Sequence, residues 1–509
     1  MKKFYLTTAI DYVNSRPHLG TAYEKVMADI IARFKRLAGY DTHFVMGNDE
    51  HSLNVFKNAE ELGVSPLAYC DRMEGEFRSV WQRLDVSFDD FIRTTEDRHR
   101  RSVQALIQRI HDAGDVYEGT YQGWYCDSCE GFKQEKDLED GNCPLHRTTP
   151  RWLEEKNHFF RLSRFREPLK ALYHDQPSFL EPEIRRNEIS SLLDSGLEDI
   201  SISRESQKWG IPVPFDPESV VYVWVDALIN YASAVGFAHD EALYEKWWPC
   251  DLHVIGKDIT RFHCVIWPAM LMSAGLPLPR QVFGHGFVYF RGERMSKTLG
   301  TVVDPLAAAE KFGPDPLRLY FAREIAFGQD GDFSWERFEA RYNADLANNL
   351  GNLVSRIASM AEKYRGGLLR APSAPSDVLR RKAEEVLDRY PKAMEALALQ
   401  DGTNAAFDLV NAVNEFITAS EPWVLAKDES KASRLSQVLY DAAEATRIAA
   451  VLLLPVIPGS AAEILRRLGG DKATAALRLS EDGVWGAAGD LRVEKAPALW
   501  PRLEPRANP

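Results

Sequence analysis

The opening sixty residues leave few folds available. "KFYLTTAI" is a short apolar run, "AYEKVMADIIARFKRLAG" an amphipathic stretch, "DTHFVMGND" a second apolar run and "EHSLNVFKNAEELG" a second amphipathic stretch. The first amphipathic stretch places Val26, Ile30, Ile31 and Phe34 on one face, with Gly39 near its end. Apolar spacing thus alternates between the periods of strand and helix, with short connections. That pattern predicts parallel strands joined by right-handed helical crossovers. Ligands of such sheets settle beyond the C-terminal ends of the strands. His18 and the run "NDEH" at 48–51 both stand at such ends.

The alternation stops near residue 116, at the Gly-, Tyr- and Cys-rich "YEGTYQGWYCDSCEGF", and the sequence stays irregular to about 214. It resumes with "VVYVWVDALINYASAV", "DLHVIGKDITRFHCVIWPAMLMSAG" and "QVFGHGFVYFRGERMSKTLG". We therefore expect an α/β domain built in two halves, 1–115 and 215–342, with 116–214 inserted between them. From 343 to 509 the pattern is helical, apart from the connector "RGGLLRAPSAPS", and predicts an α-helical bundle. No segment repeats with a fixed period.

Composition narrows the function classes. A hydrophobic content of 45% fits a protein with substantial cores. The net charge of −13 argues against nucleic acid bound by bulk charge, yet leaves room for a local basic face. The longest apolar stretch, "IAAVLLLPVIPG", is broken by Pro455 and Pro458 and falls far short of a membrane span. At the N-terminus Thr7, Thr8 and Asp11 interrupt the apolar run before it reaches secretory length. These features predict a cytoplasmic protein with no membrane partner. Cys70, Cys250 and Cys264 are scattered and read as small buried hydrophobes.

Three stretches carry chemistry. Cys126-x2-Cys129, thirteen intervening residues, then Cys143-x2-His146 present two ligand pairs on tight turns, the spacing of a tetrahedral structural Zn2+ site. In "RPHLG", His18 at a strand-to-helix turn can donate to a phosphate, and Gly20 lets the backbone approach it. A histidine there equally serves to cap the turn. In "GERMSKTLG", Gly292 and Gly300 bracket a loop bearing Arg291, Arg294 and Lys297, with Ser296 and Thr298 as hydroxyl donors. Such a loop suits a developing pyrophosphate charge, and by itself it is also an ordinary surface turn.

Taken together, His-x-Gly after the first strand and "RMSKT" far downstream resemble the paired signatures of class I aminoacyl-tRNA synthetases. "TTAIDYVNSRPHLG", "GNDEH", "VYVWVDALINY", "HVIGKDITRFH", "RMSKTLG" and "DLANNLGNLVSR" are similar, in order, to the methionyl branch of that family. The resemblance spans nearly the whole chain. It implies a Rossmann-like catalytic domain with an inserted zinc knuckle and a helical anticodon bundle. The implied activity joins methionine to the 3′ end of tRNA(Met) through methionyl-adenylate, with ATP and its Mg2+.

By that resemblance His18, Gly20, Thr21 and Lys297 are the catalytic set, and Gly256, Asp258 and Arg294 complete the ATP site. The methionine site combines Ala9, Ile10, Tyr12, Asp49, Trp224, Ala227, Leu228, Tyr231, Ile259 and His263. An aromatic and aliphatic sleeve suits an unbranched thioether, Tyr12 and His263 supply polar contacts, and Asp49 pairs with the ammonium. Asn352, Arg356 and Trp423 receive the CAU anticodon; aromatic stacking and edge hydrogen bonds are how unpaired bases are read. Three positions depart from the family pattern. Thr21 replaces a second histidine, Arg294 the first lysine of the loop, and Ser52 a glycine. The resemblance also implies a monomer, since the appended oligonucleotide-binding domain that dimerises some members does not follow the bundle.

The rival readings are a class I synthetase for another amino acid and a zinc-dependent RNA-binding protein without catalysis. The insert is too short for the editing domain of the branched-aliphatic enzymes, and the Trp224/His263 sleeve is wrong for cysteine.

Overall fold

The computed structural model describes residues 2–127, 131–133, 135–144, 147–295, 302–373 and 377–503. Strand β1 (Lys3–Thr8) breaks at Ala9 and Ile10 and continues as the short β2 (Asp11–Tyr12). Helix α1 (Leu19–Leu37) then carries the chain to β3 (Asp41–Asp49), which pairs in parallel with β1 from Lys3–Asp41 to Thr7–Val45. Strand β4 (Asp90–Arg93) adds parallel to β3, and helix α2 (Asp97–Asp112) follows it.

The chain next builds a separate antiparallel sheet. Its strands are β5 (Val116–Cys126), β6 (Gly131–Lys133), β7 (Arg151–Phe160) and, after an excursion, β9 (Ile200–Ser201). That excursion is β8 (Leu180–Glu181), which lies inside the span assigned to the insert yet joins the far edge of the main sheet. After a short helix α3 (Val223–Leu228), β10 (Leu252–Gly256) and β11 (Val282–His285) complete it. Spatially the strands run β4, β3, β1, β10, β11, β8, all parallel. The chain departs from β1 in one direction and later returns beside it in the other. The gap between the C-terminal ends of β1 and β10 is therefore the topological switch point, where such sheets bind ligands.

One expectation changes. Val220 and Val221, read as the start of the sheet's resumption, instead end a strand, 216–221, that pairs antiparallel with 203–204 and 212–213. Asp216, Pro217 and Glu218 leave the first half of that strand partly or fully exposed. A central parallel strand must be covered on both faces, and this one cannot be.

Helix α1 buries nearly its whole surface, because its outer side is covered as well. Val26, Ile30 and Phe34 belong to one continuous apolar core that passes through Leu317 and Phe321 into the bundle residues Tyr390, Val410 and Val438. The bundle comprises α4 (Asn352–Arg365), α5 (Asp377–Glu395), α6 (Leu399–Ser420), α7 (Ala432–Leu453) and α8 (Pro458–Arg467). Leu491–Arg492 pairs antiparallel with Leu368–Leu369, and Leu503 exchanges two hydrogen bonds with Asn343, so the tail closes back on the bundle's start. Among the described residues no helix is long and apolar enough to cross a membrane.

Candidate active site

His18 is the N-cap of α1. Its Nδ1 accepts from the backbone N–H of Gly20 at 3.0 Å and of Thr21 at 3.3 Å. An imidazole accepting through Nδ1 carries its proton on Nε2, so the cap leaves a donor at the positive end of a nineteen-residue helix. Capping and donation are thus two ends of one ring. Gly20 is required by the same ring: a Cβ there would stand 2.9 Å from His18 Cε1. That Cβ would also lie 3.5 Å from Met295 Cε, and the Leu19 N–H donates to Val303 O at 3.0 Å. Both described flanks of the "MSKTLG" stretch therefore meet the start of α1.

The near flank is more ordered than a loop bracketed by glycines suggests. Arg291 (φ 53°) and Gly292 (φ 77°) form the two-residue turn between 288–290 and 293–294, where positive φ at both positions matches the strand twist. Arg291 pairs with Glu336 at 2.7 Å, and the Arg294 guanidinium lies 5.0 Å over the Phe287 ring. Lys297, with Ser296, Thr298 and Gly300, lies outside the described residues.

Across the switch point, β10 ends at Gly256, where a Cβ would meet Asp258 Oδ1 at 2.6 Å. Between the two strand ends lies a charge cluster that periodicity did not reveal. Lys25, fully buried on α1, donates to Ala9 O at 2.6 Å and Glu24 Oε1 at 2.7 Å, and pairs with Asp11 at 3.2 Å. It thereby fills the break between β1 and β2. His285, at the end of β11, meets Glu24 Oε2 through Nε2 at 2.9 Å. Burial pushes the Glu24 carboxyl up, but Lys25 and His285 outweigh it and hold it at about 2. Burial raises Asp11 to about 7 against the pull of Lys25.

The aromatic sleeve assembles beside this cleft. Tyr12 meets Trp224 edge-on at 5.6 Å, and Trp224 stacks on Phe262 at 4.1 Å with 15° between planes. Ala227 and Leu228 follow on α3, and Tyr231 lies just beyond it, all buried; Trp224, Ala9, Ile10, Tyr12 and Ile259 remain half-buried, as a lining should. Asp49, buried at the end of β3, stands opposite Tyr12 in register. His263 gives both ring nitrogens to the protein: Nδ1–H donates to Ile259 O at 3.0 Å, so Nε2 accepts from the Tyr231 hydroxyl at 2.6 Å. Burial holds it near 4, hence neutral. The polar contact expected from His263 is thus already spent on orienting Tyr231. His263 sits in a π-helical turn, Phe262–Ile266, a local widening common at functional sites. Phe262 was missed by the sequence reading, although its place beside His263 was the available signal.

The departures also find places. Ser52 caps the helix Leu53–Glu61, its hydroxyl accepting from Val55 N–H at 3.1 Å, a bond glycine cannot make. Thr21 contributes its backbone N–H to the His18 cap.

Away from the cleft, Asn352 and Arg356 lie one turn apart on α4, and Arg356 Nη1 approaches Asn414 Oδ1 of α6 at 3.4 Å. Trp423 stands 41% exposed in the short helix beyond α6. Cys126 and Cys143 are both buried and meet at one residue: Cys126 Sγ lies 3.7 Å from Thr148 Oγ1, and Cys143 N–H donates to Thr148 O at 2.9 Å. Cys129 and His146 lie outside the described residues. Among those described, no group of three or more His, Cys, Asp or Glu could hold a metal ion.

Comparison with known proteins gives a consistent answer. The family profile described as "tRNA synthetases class I (M)" matches residues 4–148 and 133–358. The "anticodon binding domain of methionyl tRNA ligase" matches 371–481. A methionine–tRNA ligase of Thermotoga maritima is 45% identical over 95% of this chain and 78% of its own length. One of Streptomyces coelicolor is 44% identical over 99% of this chain and 97% of its own. Mycobacterium tuberculosis methionyl-tRNA synthetase, solved with methionyl-adenylate, superposes with a TM-score of 0.94 at 43% identity, covering 99% of this chain and 100% of that one.

Proposed function

The chain belongs to the methionyl-tRNA synthetase family, and we propose the following division of labour among its residues. The protein is an ATP-dependent aminoacyl-tRNA ligase. It activates L-methionine with ATP, releasing pyrophosphate and forming methionyl-adenylate, and transfers the methionyl group to the 3′ end of tRNA(Met).

In the first step a methionine carboxylate oxygen bonds to the α-phosphorus while the bond to the bridging pyrophosphate oxygen breaks. The barrier is set by alignment and by charge on the phosphates, so the protein's work is positioning and neutralisation. His18 Nε2–H donates to the phosphates from the N-terminus of α1, with Gly20 and Thr21 beside it. Lys297 and Arg294 approach the departing pyrophosphate from the opposite flank. The Mg2+ that arrives with ATP neutralises further phosphate charge. Gly256 leaves room for the adenosine, and Asp258 accepts from the ribose hydroxyls. Methionine lies in the sleeve of Ala9, Ile10, Tyr12, Trp224, Ala227, Leu228, Tyr231 and Ile259, with His263 holding Tyr231 and Asp49 facing the ammonium. Asn352, Arg356 and Trp423 read the anticodon, Trp423 by stacking.

A structural Zn2+ on Cys126, Cys129, Cys143 and His146 fits the inserted sheet. Supporting it, Cys126 and Cys143 converge from distant turns on Thr148, as two halves of a knuckle must. Four protein ligands would pin the end of the β5–β7 ribbon and leave no open position for chemistry.

The observation that carries the reading of the site is the meeting of His18, Gly20 and Met295 over the switch point, beside the Tyr12–Trp224 sleeve. Methionine-dependent ATP–pyrophosphate exchange tests it. Lys297→Ala is expected to slow exchange more than about tenfold while leaving methionine affinity within about twofold. No exchange with any amino acid by the unaltered protein defeats the reading, and exchange with valine or cysteine alone reassigns the substrate.

A further inference from the structure

Helix α3 carries Trp224, Ala227 and Leu228 to the sleeve and buries Asp226 completely. Oδ2 of Asp226 accepts from His51 Nδ1 at 2.7 Å, and Oδ1 lies 2.6 Å from His99 Nε2. A carboxylate removed from water is costly unless hydrogen-bonded. Burial raises the Asp226 carboxyl, yet His51 and His99 together hold it below the usual range. The two histidines belong to different parts of the site. His51 lies two residues beyond Asp49, its ring edge-on to Trp209 at 5.3 Å, and the Trp209 indole N–H donates to Glu50 O at 2.7 Å. His99 lies on α2, and its Nδ1 is 2.8 Å from Ser233 Oγ, just past the sleeve residue Tyr231. One carboxylate therefore joins the segment just beyond Asp49 of β3, helix α2, and the helix that bears Trp224.

We propose that Asp226 is a positioning residue for the amino-acid pocket: its grip on His51 and His99 sets the separation between Asp49 and the Trp224–Leu228 wall. The proposal rests on reading Asp49 and Trp224 as methionine contacts. A pocket that grips an ammonium at one end and a thioether at the other depends on that separation, whereas the phosphate cleft at His18 is held by α1 instead. Loosening the joint thus weakens methionine binding and spares ATP.

The test is ATP–pyrophosphate exchange with methionine and ATP titrated separately. Asp226→Asn is expected to raise the methionine KM about tenfold, with the ATP KM within about twofold. Two amide variants give the discriminating control, since an Asn amide N–H occupies the place of Nδ1–H and a Gln amide that of Nε2–H. His51→Asn and His99→Gln should keep the methionine KM near the unaltered value, while His51→Leu and His99→Leu raise it as Asp226→Asn does. Equal rises in both KM values overturn the proposal. So do a loss confined to kcat and leucine variants indistinguishable from their amide counterparts. Should Asp226→Asn not fold, the histidine pairs decide by the same criteria. Absence of methionine-dependent exchange in the unaltered protein defeats the functional reading instead, so the two failures are distinct.

Discussion

His18 is the side chain on which structure and the proposed chemistry meet. Nδ1 closes the first turn of α1, and the tautomer this enforces leaves Nε2–H as the donor that the proposed phosphate contact uses. The two tasks can be separated. Asn is among the best N-caps, so His18→Asn should unfold within about 0.5 kcal/mol of the unaltered protein, whereas His18→Ala loses about 1 kcal/mol. Both should lose at least about tenfold in exchange rate, because neither presents the Nε2 donor. Urea unfolding alongside exchange assays checks this, and retained exchange in His18→Asn would show that the ring only caps. His263 makes a pH prediction. Its folded value near 4 lies below the ordinary 6.5, so between these values the unfolded chain binds a proton that the folded one does not. Stability from this group is complete above pH 6.5 and is lost as pH falls toward 4. From pH 7 to pH 5 the unaltered protein should lose about 2 kcal/mol that His263→Gln does not. Equal losses in the two proteins would place the proton elsewhere.

At the scale of elements, local sequence was a good guide wherever a single period held. The apolar stripe of Val26, Ile30, Ile31 and Phe34 placed α1, and the nine residues of "DTHFVMGND" are β3 without remainder. Guidance failed where pairing, not period, decides. The apolar run that opens at Val220 reads as a sheet strand, yet it closes a strand whose exposed first half, 216–218, belongs to a small antiparallel sheet. The Arg291–Gly292 turn looked like loop because glycine marks both mobile segments and tight hairpins. The inserted ribbon carries the metal prediction. Chelation is expected to release one zinc per chain and to speed amide exchange at Gly123–Cys126 and Arg151–Leu153, leaving β1 and β10 protected. Purified protein with no zinc would refute the four-ligand assignment.

For the whole molecule the decisive contact is one no local rule anticipates. Arg318, with no exposed surface, bonds Asp29 of α1 at 2.7 Å and the carbonyls of Pro455 and Val456, between α7 and α8, at 2.9 Å each. It also reaches Leu84 O and Asp85 O. The helix that presents His18 is thereby bolted to the anticodon bundle. Arg318→Ala leaves the buried Asp29 with Arg33 and the two Ser87 donors but without its buried guanidinium, and should cost about 3–5 kcal/mol. Because a single core runs through both parts, catalytic and bundle probes should unfold in one transition. A loss under about 1 kcal/mol would mean that water or a shift of Arg33 replaces the guanidinium. The division follows from the range of the forces involved. Periodicity and caps act over a few residues, so the sequence alone determined the helices and the strand-end positions of His18 and Asp49. Strand order, the tautomer of His18, the Lys25 cluster and the Arg318 bolt join residues far apart in the chain. Only packing in three dimensions brings those groups out of water together, and so only the tertiary structure could decide them.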